Sequence, residues 1–211
     1  MGIAERKEKQ KLEVRKLILD ASIRLFTEQG FENVSMRKIA DLIEYSPTTV
    51  YLYFKDKSEI LFELHELGFR KMAEYNAALW DIRNPLVRLH KMAENYIRFG
   101  LENPQFYDIM FLQQAPMETL ARMMKETDCE WRSGDQALGR LMETVTEAME
   151  KKLIVPGDVR AVSMAVWATV HGLVTLAIRH RFDKLVDAEH VVPMMHQSIN
   201  WLLNTIDQAN Q

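Results

Sequence analysis

Between Ser46 and Lys57 the chain concentrates hydroxyl, aromatic and cationic side chains. Thr48, Thr49, Tyr51 and Tyr53 are interleaved with Val50 and Leu52, and Lys55 and Lys57 follow. Short hydroxyls and aromatic rings on an exposed helical face suit contact with base edges and phosphates, and a lysine at a helix N-terminus suits a phosphate. Catalytic constellations do not emerge. The six histidines, His65, His90, His171, His180, His190 and His196, form no H-E-x-x-H pair, and the lone Cys129 cannot found a cysteine-rich zinc site. Neither a glycine-rich phosphate loop nor a G-x-S-x-G elbow is present. No enzyme, cofactor or metal is expected.

The elements that would present these residues are marked by caps. Ser35 is an N-cap, and Ile39, Ala40 and Ile43 then recur at helical spacing. Ser46 followed by Pro47 starts a second short helix, because a proline at the first helical position lacks an N–H that would have no partner there. That helix is expected to run to about Phe54, with Val50 and Phe54 inward and Thr48, Thr49, Tyr51, Leu52 and Tyr53 partly or wholly outward. Asp56 and Glu59 form a capping-box pattern that opens the next helix at Lys57. Before these, a helix from about Lys9 to Gln29 carries Val14, Leu17, Ile18, Ala21 and Leu25 on one stripe and stops at Gly30, with Phe26 and Phe31 closing the same small core. Two short helices with a tight turn, braced by flanking helices, is the layout of a DNA-reading helix-turn-helix.

At this point the chain resembles the tetracycline-repressor-like (TetR) regulators, through RKLILDASIRLFTEQGFENVSMRKIA and SPTTVYLYFKDKSEIL. The matching run is Thr49, Tyr51, Tyr53, Phe54, Lys55 and Lys57. The resemblance implies that Arg37, Ser46, Pro47, Thr48, Thr49, Tyr51, Leu52 and Tyr53 face DNA, with Lys57 on the backbone. Two departures stand out. Glu44 and Tyr45 occupy the turn where a glycine and a small apolar residue are common, and Leu52 replaces a frequent histidine, which favours apolar contact such as a thymine methyl.

Beyond Ser58 every periodic segment reads as helix, with breakers at Asn84-Pro85, Asn103-Pro104, Ala115-Pro116, Ser133-Gly134 and Pro156-Gly157. Helices are expected near 57–80, 84–102, 104–113, 117–131, 135–154, 158–181 and 190–207, with Pro193 starting or kinking the last. The expected fold is all-α: a three-helix DNA-binding domain over 1–56 and a helical effector-binding and dimerisation domain over 57–211. Residues 161–178 are apolar nearly all round, so the helix must be covered on more than one side. Leu173 and Leu176, with Trp201, Leu202, Leu203 and Ile206 near the C-terminus, are the expected surface for a second copy, as two helices from each chain form the dimer in the resembled family.

The middle helices are rich in methionine and aromatic residues, which pack a core or line an adaptable pocket. The resemblance favours a pocket, with Phe69, Met72, Tyr96, Phe99, Tyr107 and Met110 as candidate walls. Phe111, Met124, Trp131, Trp167 and His171 complete the set, and the W-x-x-x-H-G run at Trp167, His171 and Gly172 resembles a C-terminal subgroup of the family. Glu94, Glu102 and Asp108 could meet a cationic effector; Arg98, Arg122 and His171 could meet an anionic one.

Net charge is −3, so attraction to DNA must be local; residues 1–60 hold eleven Lys and Arg against ten Asp and Glu, and the remainder carries −4. Arg6, Lys7, Lys9, Lys11, Arg15 and Lys16 crowd the N-terminus and could touch flanking phosphates. One cysteine fits a reducing compartment, the first sixteen residues are too charged for a signal peptide, and no apolar run is expected to reach membrane-crossing length. These features lead to an expected cytoplasmic homodimer that binds a palindromic double-stranded operator and is released by a small apolar or amphipathic effector of unknown identity, most simply a repressor. Recognition helices would enter successive major grooves about 34 Å apart, and the helix after Asp56 would be the lever that changes their spacing. A regulator without an effector, or a helical protein-binding adaptor, are the alternatives.

Overall fold

A computed structural model describes residues 2–127 and 132–207. Among them there is no strand, and the helices are α1 Ile3–Gln29, α2 Met36–Leu42, α3 Pro47–Tyr51, α4 Lys57–Asn76, α5 Pro85–Glu102, α6 Pro104–Tyr107, α7 Gln114–Thr127, α8 Arg132–Glu150, α9 Val159–Ile178 and α10 Ala188–Ile206. Short 3-10 turns cover Phe31–Asn33 and Ala77–Asp81. Where one helix was expected over 104–113, α6 is a single turn and a π-helical segment follows, Asp108–Leu112. Pro193 lies inside α10 and does not set its start.

The chain forms two compact units, Met1–Gly68 with Gln105–Trp131, and Phe69–Pro104 with Arg132–Gln211. The first takes in more than residues 1–56.

In the first unit, α1 begins earlier than its apolar stripe suggests. Gly2 N–H donates to Glu5 Oε2 at 2.6 Å, and Lys9–Glu13 and Arg24–Glu28 pairs at i,i+4 support the exposed faces. It ends at Gly30, whose φ of 80° admits glycine without strain and whose N–H donates to the Phe26 carbonyl. Ile18, Phe26, Ile39, Val50, Phe54, Ile60 and Leu61 are fully or almost fully buried. Each such side chain contributes about 1.5–3 kcal/mol relative to exposure. Phe26 and Phe31 meet edge to face, ring centroids 5.1 Å apart.

The π segment is tied into this unit. His65 Nε2–H on α4 donates to the Ile109 carbonyl at 3.0 Å, while Gln113 Nε2 donates to Asp108 Oδ2 at 2.5 Å and to the Phe26 carbonyl at 3.3 Å. Burial pushes the His65 imidazole down to about 4, so it is neutral. Alongside, Gly68 is closely covered: a Cβ there would lie 2.4 Å from Met110 Sδ and 3.2 Å from Phe106 Cδ1.

In the second unit α9 packs against α5, α8 and α10. Val166, Val170 and Val174, four residues apart, form its buried face. Asp158 caps it, accepting from Ala161 N at 2.7 Å. By length and composition α9 is apolar enough to cross a membrane, which corrects the expectation that no run reaches that length. Within the protomer only Ser163, Val166, Val170 and Val174 of this helix are buried, so most of its apolar surface is left partly or wholly uncovered there. Arg88, buried on α5, pairs with Glu147 of α8 and donates to the Ile82 carbonyl. Lys151 foremost, and Arg88, hold the Glu147 carboxyl below its ordinary value. His90 Nδ1 lies 3.0 Å from Asn200 Oδ1, joining α5 to α10.

Candidate nucleic-acid interface

The two short helices are built by the predicted caps. Ser35 Oγ accepts from Lys38 N at 3.2 Å and Ser46 Oγ from Thr49 N at 3.1 Å. Between them the turn puts Glu44 in the left-handed region, φ 60°, where its side chain is strained and a glycine would not be. Tyr45 N–H donates to the Ala40 carbonyl and closes the turn. Regular helix ends at Tyr51, short of the expected Phe54, but N–H groups of Tyr53 and Phe54 still donate to the Val50 carbonyl.

Of the residues expected to face DNA, Arg37, Thr48, Tyr51 and Leu52 are exposed, Tyr51 to 55% and Leu52 to 78%. Ser46 is exposed too, but its hydroxyl is 2.9 Å from that of Thr49, so the two are engaged with each other and with the cap. Pro47 and Thr49 are half-buried. Tyr53 is half-buried and packs on the hydrophobic core, which makes it as much a support as a reader.

Lys57 is placed otherwise than expected. Its ammonium donates to the carbonyls of Phe31 and Glu32, pairs with Glu32 at 3.7 Å and lies 4.3 Å from the Phe31 ring centroid. The charge is used inside the protein, so in this conformation Lys57 braces the head and does not project toward a phosphate. Lys38 is similarly held, by Gln29 and the Asn33 carbonyl. Arg15, grouped by sequence with the N-terminal cations, instead clamps Glu63, donates to the Tyr53 carbonyl at 3.1 Å and stacks on Phe54. Arg37 and Lys55 are exposed and make no ion pair among the described residues.

The candidate effector residues divide between the units. Tyr107, Met110, Phe111 and Met124 belong to the first; Phe69, Met72, Tyr96, Phe99, Trp167 and His171 belong to the second; Trp131 lies outside the described residues. The rings of Tyr107 and Phe111 meet at a tilt of 59° with centroids 5.0 Å apart in the first unit. In the second, Trp167 Nε1–H donates to the Tyr96 hydroxyl at 3.1 Å, which is 3.3 Å from His171 Nδ1. All three are half-buried, and burial lowers the His171 pKa. Phe69, Met72 and Phe99 are core residues by their burial. The charged candidates are elsewhere occupied: Glu94 pairs with Lys91, Glu102 accepts from Tyr75, and Asp108 from Gln113. Arg98 lies over the Tyr75 ring, and Arg122 is exposed. A concavity of about 360 Å³ is lined by Glu94, Arg98, Glu102, Val192 and His196 among others, and contains none of the expected Met and aromatic walls.

On the α9–α10 face, Leu176 and Trp201 are exposed, the latter to 71%, and Leu173, Leu202 and Ile206 are half-buried. Trp201 and Leu202 line an open groove of about 460 Å³ with Thr169, Met194, Gln197 and Ser198. Leu203 is fully buried in its own protomer, which corrects its expected place on a partner-facing surface. It lies a third of a helical turn from Leu202 and points into the bundle.

Such a molecule, a braced helix-turn-helix joined to an all-helical bundle, belongs to the class of DNA-binding transcriptional regulators. Residues 18–64 match the family model described as bacterial regulatory proteins, tetR family, and residues 89–198 match that of the tetracyclin repressor-like C-terminal domain. The chain belongs to the TetR family. It is 39% identical over 70 residues to the HTH-type transcriptional regulator AcrR of Shigella flexneri, covering 33% of each chain. To the HTH-type transcriptional repressor KstR of Rhodococcus jostii it is 29% identical over 160 residues, covering 74% of each. The match thus spans about a third of the length of one curated relative and about three quarters of the other. Among solved structures, the fatty acid degradation regulator FadR of Bacillus halodurans aligns with a TM-score of 0.70 at 20% identity, over 88% of this chain and 93% of that one, a likeness of fold.

Proposed function

We propose that the protein is a cytoplasmic, homodimeric repressor that leaves a palindromic operator when a small apolar or amphipathic molecule binds. The observation that carries the reading is the capped α2–turn–α3 unit, with Thr48, Tyr51 and Leu52 exposed on a head braced by Arg15 and Lys57. Functionally, residues 1–56 read DNA and residues 57–211 sense and dimerise. Exposed Arg37 and Lys55 hold phosphates, and the Leu176 and Trp201 face of α9 and α10 meets the second copy. Two recognition helices in successive major grooves would stand about 34 Å apart.

For the effector, the neutral Tyr96–Trp167–His171 cluster supports a lipophilic ligand over a strongly charged one. A structural neighbour named for fatty acid degradation supports the same choice, and a relative whose name marks it as a repressor supports repression. The family is one of regulators and not of enzymes, and nothing favours the adaptor alternative.

A gel shift on DNA flanking the protein's own gene tests the reading, repeated with a panel of lipophilic acids, cations and aromatics while Trp167 fluorescence is followed. A specific complex that one class of compound dissolves, with a raised melting temperature, is expected. A specific complex that no compound alters would leave a regulator without an effector. No specific complex would overturn operator binding.

A further inference from the structure

The exposed edge of α3 holds no side chain that reads guanine or adenine by paired hydrogen bonds. Guanine is read by Arg or Lys and adenine by Asn or Gln, each spanning two groups on the major-groove edge. From Ser46 to Tyr53 the sequence is Ser-Pro-Thr-Thr-Val-Tyr-Leu-Tyr. The hydroxyls of Ser46 and Thr49 are engaged in the cap, Val50 is buried, and Tyr53 packs on the core. Of the neighbouring cations, Lys57 is held by the Phe31 and Glu32 carbonyls, Lys38 by Gln29 and Asn33, and Arg15 by Glu63, while exposed Arg37 and Lys55 lie outside α3 and are assigned above to phosphates. Thr48, Tyr51 and Leu52 remain.

Leu52, at 78% exposure, is the most exposed large apolar side chain among the described residues of the first unit. Little of it is covered there, and in water its isobutyl group is unfavourably hydrated. The major groove offers one apolar group, the C5-methyl of thymine. We infer that Leu52 is a specificity-determining residue that reads a thymine C5-methyl in each operator half-site, with the methyl and hydroxyl of Thr48 beside it.

Duplexes selected from a random library by the full-length protein test this. A thymine at one fixed position of each half-site is expected. Replacing it with deoxyuridine, which removes only the methyl, should weaken binding about fourfold per half-site, the equivalent of one buried methyl. A cytosine substituted there should weaken binding, and 5-methylcytosine should regain part of the loss. Leu52→Ala, at an exposed position, should fold normally and bind thymine and deoxyuridine duplexes equally. Enriched sequences that tolerate deoxyuridine at every thymine, or a Leu52→Ala protein that still separates the two, would overturn the inference alone. A library from which nothing is enriched would overturn it together with operator binding.

Discussion

The ammonium of Lys57 donates to the carbonyl oxygen of Phe31 across 2.9 Å while sitting over the ring of the same residue. One cation thereby ties the N-terminus of α4 to the turn that follows α1. Lys57→Met should cost about 1 kcal/mol of stability, since the bonds are charge-assisted but partly solvated. It should leave the slope of log affinity against log salt nearly unchanged. Arg37→Ala and Lys55→Ala should each flatten that slope by about one per subunit without lowering the melting temperature. A Lys57→Met protein of unchanged stability and flattened slope would reverse the assignment.

His65 predicts a pH response. Its folded pKa is about 4 against an ordinary 6.5, because burial disfavours the cation. The unfolded chain therefore takes up a proton that the folded one refuses. Stability is full above pH 6.5 and declines as pH falls toward 4, by about 3 kcal/mol in all. His65→Gln keeps a donor for the Ile109 carbonyl and should remove most of this slope in thermal melts between those limits. An unaltered slope would place the titration elsewhere.

Reading and folding should separate along α3. Tyr51→Ala, at an exposed position, should lower affinity for the selected operator about tenfold or more with an unchanged melt. Val50→Ala, one residue away and fully buried, should cost about 2 kcal/mol of stability. Paired melting curves and gel shifts check both, and a Tyr51→Ala protein with full operator affinity would remove that residue from the interface.

Assembly should distinguish two leucines. Leu176→Glu combined with Trp201→Glu should give a folded monomer by light scattering, since both side chains are exposed in the protomer. Leu203→Glu should instead unfold the bundle, because it buries an unpaired charge. A dimer that survives the first pair would place the interface on another face.

What the sequence made legible was local. Ser35, Ser46-Pro47 and Asn84-Pro85 announce helix starts through chemistry confined to one turn, and the structure has a cap or a first-turn proline at each. Fates decided by distant partners were hidden. Arg15 meets Glu63 and Lys57 meets Phe31 across 48 and 26 residues, and without those partners both read as cations awaiting phosphate. Adjacent Leu202 and Leu203 have the same hydropathy but point about 100° apart, so composition could not choose which was covered. Nor does any breaker announce that residues 105–131 return to the first unit or that its entry segment widens to a π-helix.

The close cover over Gly68 makes positions 68 and 110 one steric unit. A notional Cβ at 68 meets Met110 Sδ too closely to be tolerated, so even alanine there forces the buried Met110 side chain aside. Neither position can change size alone without cost. Lineages descended from this protein should therefore trade volume between them, a larger residue at 68 arriving only with a smaller one at 110, so that the pair drifts as a single character.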